Sequence, residues 1–456
     1  MNLNQSIFKS YDIRGIYPAE INEEAAQYIA QALVNLITVK LNKPVGQLKI
    51  AVGRDNRAAS EPLIKAVIEV LLNNGVSVDD LGLISTNDYY FVMGCYGYDA
   101  GLMATASHNP AEYGGFKMTI FDTKLANSFE FISGKALLEE VNKVASLVKA
   151  EAAGVLNQKD LSAEHLEHIF SFVDLNKIKP LKVVADTGGG MTSLMIPKIF
   201  AKLPCELIPI FSELDSTFSS RPPNPLTEGA SQACAEKVVA EKADLGIMFD
   251  VDGDRFFLID ERGNFIRGDM TLLLLAKVML AKNPGAGIVY NLICSHSVKD
   301  LVAKWGGRPI RSEVGYMNLA RHMRQEGGLM SGEVSGHFAF KDNFYSDNAF
   351  VALVLALQTI SEDGRPLSQI IKDYDLYAKG AELNLQVENI PEKLEKIRAY
   401  YQENILDEMD GITVEFADWW FNVRASNTEP LLRITVEAKT VEELKKHQAE
   451  ILEIIK

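Results

Sequence analysis

A strand, a turn built on glycine or aspartate, and a helix of roughly ten to fifteen residues recur from the N-terminus to Asp375. Lys49-Ile50-Ala51-Val52-Gly53 reads as a strand that ends at glycine. Ser60-Glu61-Pro62 opens a helix, a cap residue with proline in the first turn. Leu63, Val67, Val70 and Leu71 give that helix one apolar stripe. Gly75 stops it, and Val76-Ser77-Val78 begins the next strand. A strand–helix–strand order of this kind folds into mixed, mostly parallel sheets covered by helices.

Three such α/β units are expected. The first, residues 1–152, ends in the linker Ala152-Ala153-Gly154. The second, 153–255, has strands at Leu181–Asp186, Leu207–Ile210 and Leu245–Met248, with a helix opening at Gly188-Gly189-Gly190. The third, 256–375, has strands at Phe256–Ile259, Gly287–Tyr290 and Gly328–Met330. The remainder, 376–456, changes character. Four strand-like runs, Leu383–Val387, Ile412–Phe416, Trp420–Val423 and Leu431–Val436, read as antiparallel. Helices after Pro391 and from Thr440 cover one face, an α+β domain behind a hinge near Tyr374–Glu382. A chain of 456 residues is long enough for several cores.

Composition narrows the partners. The net charge of −15 argues against general nucleic-acid binding, although local arginines can still hold a small anion. The longest apolar run, Met270–Leu280, is interrupted by Lys277 and is too short to span a bilayer. No basic-then-apolar leader opens the sequence. Four scattered cysteines without a C-x-x-C pair suit reduced thiols and a cytoplasmic protein.

Four stretches carry chemistry. In Thr105-Ala106-Ser107-His108-Asn109-Pro110 a buried strand ends in a turn that Asn109-Pro110 forces to be extended. Ser107 is thereby presented to a ligand; an adjacent Ser-His pair in a turn is poor geometry for a hydrolytic dyad. Lys117, after Gly114-Gly115, is a phosphate or acid–base residue or else a solvated lysine. Asp250-Val251-Asp252-Gly253-Asp254-Arg255 puts a carboxylate at every second position. That spacing suits hard-oxygen ligation of Mg²⁺ or Ca²⁺, and equally a hairpin tip with solvated carboxylates. An EF-hand is excluded, because Arg255 stands where its glycine belongs and both flanks read as strand. Glu333, Ser335 and His337 are hydroxyl binders or members of a plain strand–loop turn. Arg424-Ala425-Ser426-Asn427-Thr428 is a phosphate cradle or a polar hairpin loop.

Taken together and in this order, the four stretches resemble those of the α-D-phosphohexomutases, specifically the phosphomannomutase/phosphoglucomutase branch. The resemblance runs from Tyr11-Asp12-Ile13-Arg14-Gly15 to Arg424–Thr428. It implies four domains around a central cleft and interconversion of hexose 1-phosphate and hexose 6-phosphate. It implies that Ser107 is a phosphoserine, and that the Ser107 phosphate with Asp250, Asp252 and Asp254 binds Mg²⁺. Tyr11, Arg14, His108, Lys117 and Arg255 are implied to line the transfer site. Glu333 and Ser335 take sugar hydroxyls, and Arg424, Ser426, Asn427 and Thr428 hold the phosphate that is not reacting. It further implies that a hexose 1,6-bisphosphate primes the cycle and that the expected protein is a monomer or homodimer acting on sugar phosphates, without nucleic acid or membrane. Phosphoryl transfer depends on charge neutralisation and alignment, which a cation with Arg and Lys supplies. Departures from the branch bear on the sugar: Tyr316 stands where a histidine is usual and Ile293 where a lysine is usual. Gly114 replaces an asparagine, and Ser85-Thr86-Asn87 lacks a proline. Val334, apolar between Glu333 and Ser335, sets the chain with the dual-specificity enzymes rather than those for glucosamine phosphate. A phosphoglucosamine mutase, or a sugar-phosphate phosphatase or binding protein on the same fold, is the alternative.

Overall fold

The computed structural model describes residues 3–124, 128–426 and 431–455 and divides into two compact units. The first holds residues 1–266 and 337–367, the second 267–336 and 368–456.

The first unit contains two mixed sheets. Strands β1 (Ile13–Ile16), β2 (Lys49–Arg54), β3 (Ser77–Leu83), β4 (Ala100–Ala104), β5 (Tyr113–Phe121), β6 (Phe129–Ile132) and β7 (Leu156–Gln158) form the first, in the order β1-β5-β4-β2-β3-β7 with β6 on β5. The pairs β4/β2, β2/β3 and β3/β7 are parallel; β1 and β4 both run antiparallel to β5. Helices Glu23–Leu41 and Ser60–Asn73 pack on one face, burying Ile29, Leu33, Ile37, Leu63, Val67 and Leu71 against Ile50, Val52, Leu102 and Phe116. Ser60 does not cap the second helix: its hydroxyl bonds to Asp55 Oδ1 instead, and Ala59 takes the cap position without a side-chain bond.

In the second sheet β8 (Lys182–Asp186), β9 (Glu206–Ile210), β10 (Leu245–Phe249), β11 (Phe256–Asp260) and β12 (Phe265–Ile266) order as β12-β11-β10-β8-β9. The strand Phe256–Ile259, expected to open the third unit, instead returns antiparallel along β10 with Phe249 opposite Phe256. The Asp-rich turn between them is short enough to make a hairpin, so the second sheet extends past residue 255. The helix expected at the glycine triplet is only a 3₁₀ turn, Met191–Leu194, and a five-residue helix, Ile196–Phe200. Gly188 and Gly189 have φ of +58° and +66°, a left-handed path that no right-handed helix can include.

The second unit has parallel strands Gly287–Asn291, Arg308–Ser312 and Gly328–Gly332, the first lying between the other two. The apolar run expected near Met270 is the buried helix Gly268–Lys282. Among the described residues no helix is long and apolar enough to cross a membrane. The C-terminal stretch is an antiparallel sheet in which Trp419–Ala425 pairs with both Ile412–Glu415 and Leu431–Ala438. Helices Ile390–Tyr400 and Val441–Ile455 contribute Ile397, Leu444, Ile451 and Ile455 to its core.

Candidate active site

Ser107 follows β4, buried, with φ +50°. Only a few per cent of residues other than glycine adopt a positive φ, which costs about 1–3 kcal/mol unless the surroundings enforce it. The enforcement is visible. The Ser107 amide donates to Thr105 Oγ1 (2.9 Å). The buried Arg57 guanidinium donates to the carbonyls of Ser107, Asn109 (2.7 Å) and Pro110 (2.6 Å), so one planar fork fixes the whole turn. Asp55 Oδ2 balances its charge 3.2 Å from Nε. Arg14, on β1, is clamped by Asp12 (Nη2–Oδ2 2.6 Å) and donates to Asn109 Oδ1 (2.7 Å), tying β1 to the same turn. Tyr11, half-buried, immediately precedes Asp12.

Asp250, Asp252 and Asp254 sit in the β10–β11 hairpin. They are a hairpin tip, but a buried one, with each residue at most 2% exposed. Gly253 makes the bend at φ +83°; a Cβ there would stand 2.6 Å from Thr192 Cγ2. One oxygen from each aspartate is engaged by the protein. Asp250 Oδ1 accepts from the amides of Gly253 (3.2 Å) and Arg255 (3.1 Å). Asp252 Oδ2 accepts from Thr86 Oγ1 and from Lys117 Nζ, both at 2.6 Å. Asp254 Oδ2 accepts from Lys117 Nζ. The other oxygens are buried and loosely held: Asp250 Oδ2 lies 3.6 Å from Arg255 Nε, Asp254 Oδ1 lies 3.4 Å from His337 Nε2, and Asp252 Oδ1 has no hydrogen-bond partner. Three buried carboxylates offer ligand atoms within 4.8 Å of one another. Unpartnered buried carboxylate oxygens are costly, and a divalent cation with hard-oxygen preference fits this donor set. Burial, then Asp252 and Asp254, pushes the Asp250 carboxyl well above the usual range. Burial acts on Asp254 in the same sense, but Lys117 and His337 outweigh it and hold that carboxyl well below.

Arg255 links the two loops. Its Nη2 lies 3.4 Å from His108 Nε2, and His108 Nδ1 lies 3.0 Å from Ser107 Oγ. Burial, followed by the charges of Arg255, Arg14 and His337, drives the His108 pKa well down, so the imidazole is neutral. A guanidinium can only donate, which puts the lone pair on Nε2 and the proton on Nδ1, facing the serine oxygen. The His337 backbone pairs with that of Arg255 in a single antiparallel β-bridge, and its Nε2 stands 3.4 Å from Asp254 Oδ1.

The sites expected from residue 316 onward, His337 apart, lie in the second unit. Glu333, buried just beyond strand Gly328–Gly332, accepts from Ser335 Oγ (2.6 Å) and from Asn291 Nδ2 (3.1 Å). Tyr316 begins the helix Tyr316–Glu326, after Gly315. Arg424, on Trp419–Ala425, donates through Nη2 to Glu382 Oε1 (2.8 Å), and Arg433 Nη1 lies 3.6 Å from the other oxygen. Ser426 is half-buried, its amide bonded to Leu431 O. Asn427 and Thr428 lie outside the described residues.

Family models describing phosphoglucomutase/phosphomannomutase match the chain in four pieces. Alpha/beta/alpha domains I, II and III match residues 5–130, 163–263 and 267–377, and the C-terminal domain matches 382–454. The phosphomannomutase of Salmonella montevideo is 33% identical over 449 residues, covering 96% of this chain and 95% of that protein. The chain belongs to the phosphoglucomutase/phosphomannomutase family. Another relative in this mutase family, the phosphomannomutase/phosphoglucomutase of Pseudomonas aeruginosa, is 32% identical and covers 97% of this chain and 94% of its own. A crystal structure of a family protein from Burkholderia thailandensis superposes with a TM-score of 0.86 at 28% identity, covering 100% of this chain and 98% of that one. The mutase, α/β and α+β readings of the sequence stand with these likenesses.

Sequence reasoning missed Arg57, Thr86, Asn87 and Glu382. Arg57 and Thr86 act across 50 and 166 residues of chain, and only the fold brings them to their targets. The capping box of Ser85 and Asp88, which starts the helix Thr86–Cys95, does have a local signal, Ser-x-x-Asp.

Proposed function

We propose that this protein interconverts hexose 1-phosphates and hexose 6-phosphates, with mannose and glucose as the sugars. Phospho-Ser107 is the donor, a hexose 1,6-bisphosphate the intermediate and primer, and Mg²⁺ the metal. The observation that carries this is a pairing. A buried serine held in a strained turn is linked through His108 and Arg255 to three buried carboxylates, each with one oxygen that accepts no well-formed hydrogen bond. We read the chain as four domains, cytoplasmic and monomeric or homodimeric, with the boundary expected at 255 moved past the strand pair ending at Ile266.

Asp250, Asp252 and Asp254 would hold the cation, together with an oxygen of the Ser107 phosphate. When bound, it supplies electrostatic neutralisation of the phosphoryl oxygens. The chain's own residues do the rest. The Oγ–P bond of Ser107 breaks as a bond forms between phosphorus and a sugar hydroxyl oxygen. One proton leaves that hydroxyl and one arrives at Ser107 Oγ. The Nδ1–H of neutral His108 stabilises charge developing on the leaving oxygen. Arg14, Arg255 and Lys117 supply positive charge around the transferring group, and Tyr11 lines its edge. Glu333 and Ser335 take sugar hydroxyls, since a carboxylate accepts from two adjacent OH groups, and Tyr316 is assigned to the substrate as well. Arg424, Ser426, Asn427 and Thr428 hold the distal phosphate. Transfer of the second phosphate back to Ser107 completes the exchange.

Coupled assays with mannose 1-phosphate, glucose 1-phosphate and glucosamine 1-phosphate, with and without bisphosphate, test this. Primer-stimulated isomerisation of the first two is expected, with glucosamine phosphate weak. Phosphate release without isomerisation would mean a phosphatase, and neither reaction would mean a binding protein.

A further inference from the structure

The carboxylates of the triad are unequal in a way that the metal assignment does not require. Each aspartate could in principle present both oxygens to a cation. In every case one of them is already committed. Asp250 Oδ1 is held by two backbone amides of its own loop. Asp252 Oδ2 is held from outside the loop by two side chains at 2.6 Å, Thr86 Oγ1 and Lys117 Nζ. Lys117 Nζ also holds Asp254 Oδ2 and donates to Thr86 Oγ1 at 3.3 Å. That bond orients the Thr86 hydroxyl, whose single proton then points at Asp252. Thr86 is fully buried at the start of the helix Thr86–Cys95, and its amide donates to Asp252 O (2.9 Å). Asn87 fixes that helix end against the loop, with Nδ2 donating to Gly253 O (2.5 Å) and Oδ1 accepting from the Ala349 amide (2.9 Å). The clamp is therefore rigid on both sides.

We propose that Thr86 and Lys117 act as specificity-determining residues for the metal: by occupying the inner oxygens of Asp252 and Asp254 they restrict the triad to single-oxygen ligation and so select a small divalent cation over calcium. Calcium takes 6–8 oxygens and commonly uses both oxygens of a carboxylate, whereas magnesium wants about six in tight octahedral array and readily accepts one oxygen per carboxylate with water completing the set. A triad limited to three protein oxygens, with the serine phosphate and about two waters to add, satisfies the second ion and leaves the first short of ligands. Thr86 reaches the site through Asp252 and Lys117, and the bond it makes to a triad carboxylate is the one to Asp252 Oδ2, so its effect is read on which ion binds. The inference rests on the metal reading above.

Isothermal titration of the full-length protein with Mg²⁺ alone and with Ca²⁺ alone tests it, on the wild type, Thr86→Val and Lys117→Met. Thr86→Val is nearly isosteric, exchanges the hydroxyl for a methyl and takes one of two donors off Asp252 Oδ2, so it reads the effect even if Lys117→Met does not fold. The wild type is expected to bind Mg²⁺ more tightly than Ca²⁺. Removing one of the two donors on Asp252 Oδ2 should lower the Mg²⁺/Ca²⁺ affinity ratio about threefold in Thr86→Val, and freeing Asp254 Oδ2 as well should lower it about tenfold in Lys117→Met. A wild type that prefers Ca²⁺, or a Thr86→Val ratio equal to that of the wild type with both ions still bound, overturns the selectivity role alone. A wild type that binds neither ion overturns the metal site itself and this inference with it.

Discussion

Replacing Arg57 by lysine keeps the charge and removes the fork. The arginine is 1% exposed and donates to the carbonyls of Ser107, Asn109 and Pro110 while facing Asp55 at 3.2 Å. An ammonium on a shorter stem can stay with Asp55 and reach one carbonyl; two of the three then lose their donor, and of these residues Ser107 alone is buried while Asn109 and Pro110 reach water. One orphaned buried group costs about 1–3 kcal/mol, so the variant should lose roughly 1–3 kcal/mol of stability. Ser107 at φ +50° is the residue with most to gain by relaxing, and the turn should open. Displacing a reacting oxygen by about 1 Å costs on the order of 10²-fold in rate. Guanidinium melts and kcat, measured on one preparation, give both numbers. Unchanged melting together with turnover within about twofold of wild type would refute the idea that this fork holds the serine in place.

Other expectations follow from the same contacts. Asp252→Asn should lower turnover by on the order of 10³-fold, the worth of several kcal/mol of lost metal electrostatics, with far-UV circular dichroism unchanged; wild-type-like turnover would remove the metal assignment. Arg424→Ala should raise KM about ten- to a hundredfold, the equivalent of a charge-assisted hydrogen bond worth ~1.5–3 kcal/mol, and an unchanged KM would remove the phosphate clamp. Glu382→Gln should lower KM, because Glu382 occupies Arg424 Nη2 at 2.8 Å; a raised KM would make Glu382 a supporter of that arginine, not its competitor. His296, stacked on Trp420 with ring centroids 4.9 Å apart, has its pKa lowered by burial to about 4. Against an unfolded value of about 6.5, its contribution is fully present above that pH and is lost as pH falls toward 4, amounting to about 2 kcal/mol by pH 5. His296→Phe should melt with a shallower acid loss between about pH 7 and pH 5, and an equal loss would acquit this histidine.

Much of this was legible in the chain itself. The strand before Ser107, the carboxylate alternation and the antiparallel C-terminal strands all rest on local periodicity, which a sequence displays directly. The Asp-rich stretch is a hairpin tip, as one reading expects, but its carboxylates are buried and not solvated, and they could hold a metal ion. The glycine triplet misled because flexible residues mark a turn without saying which hand it takes. Phe256–Ile259 was placed in the wrong sheet because strand pairing depends on the turn geometry between strands. Arg57, Thr86 and Glu382 carry no local signature at all. Each is an ordinary residue in an ordinary segment until the fold supplies its partner.

The most direct measurement on the central claim is the intact mass of the protein after incubation with hexose 1,6-bisphosphate and Mg²⁺, followed by addition of hexose 6-phosphate, with Ser107→Ala in parallel. The account predicts one added phosphoryl group, mapped to Ser107, that is discharged onto the sugar phosphate and never appears on Ser107→Ala. A phosphoryl group on another residue, or none on a wild type that still isomerises the sugar phosphates, would contradict it.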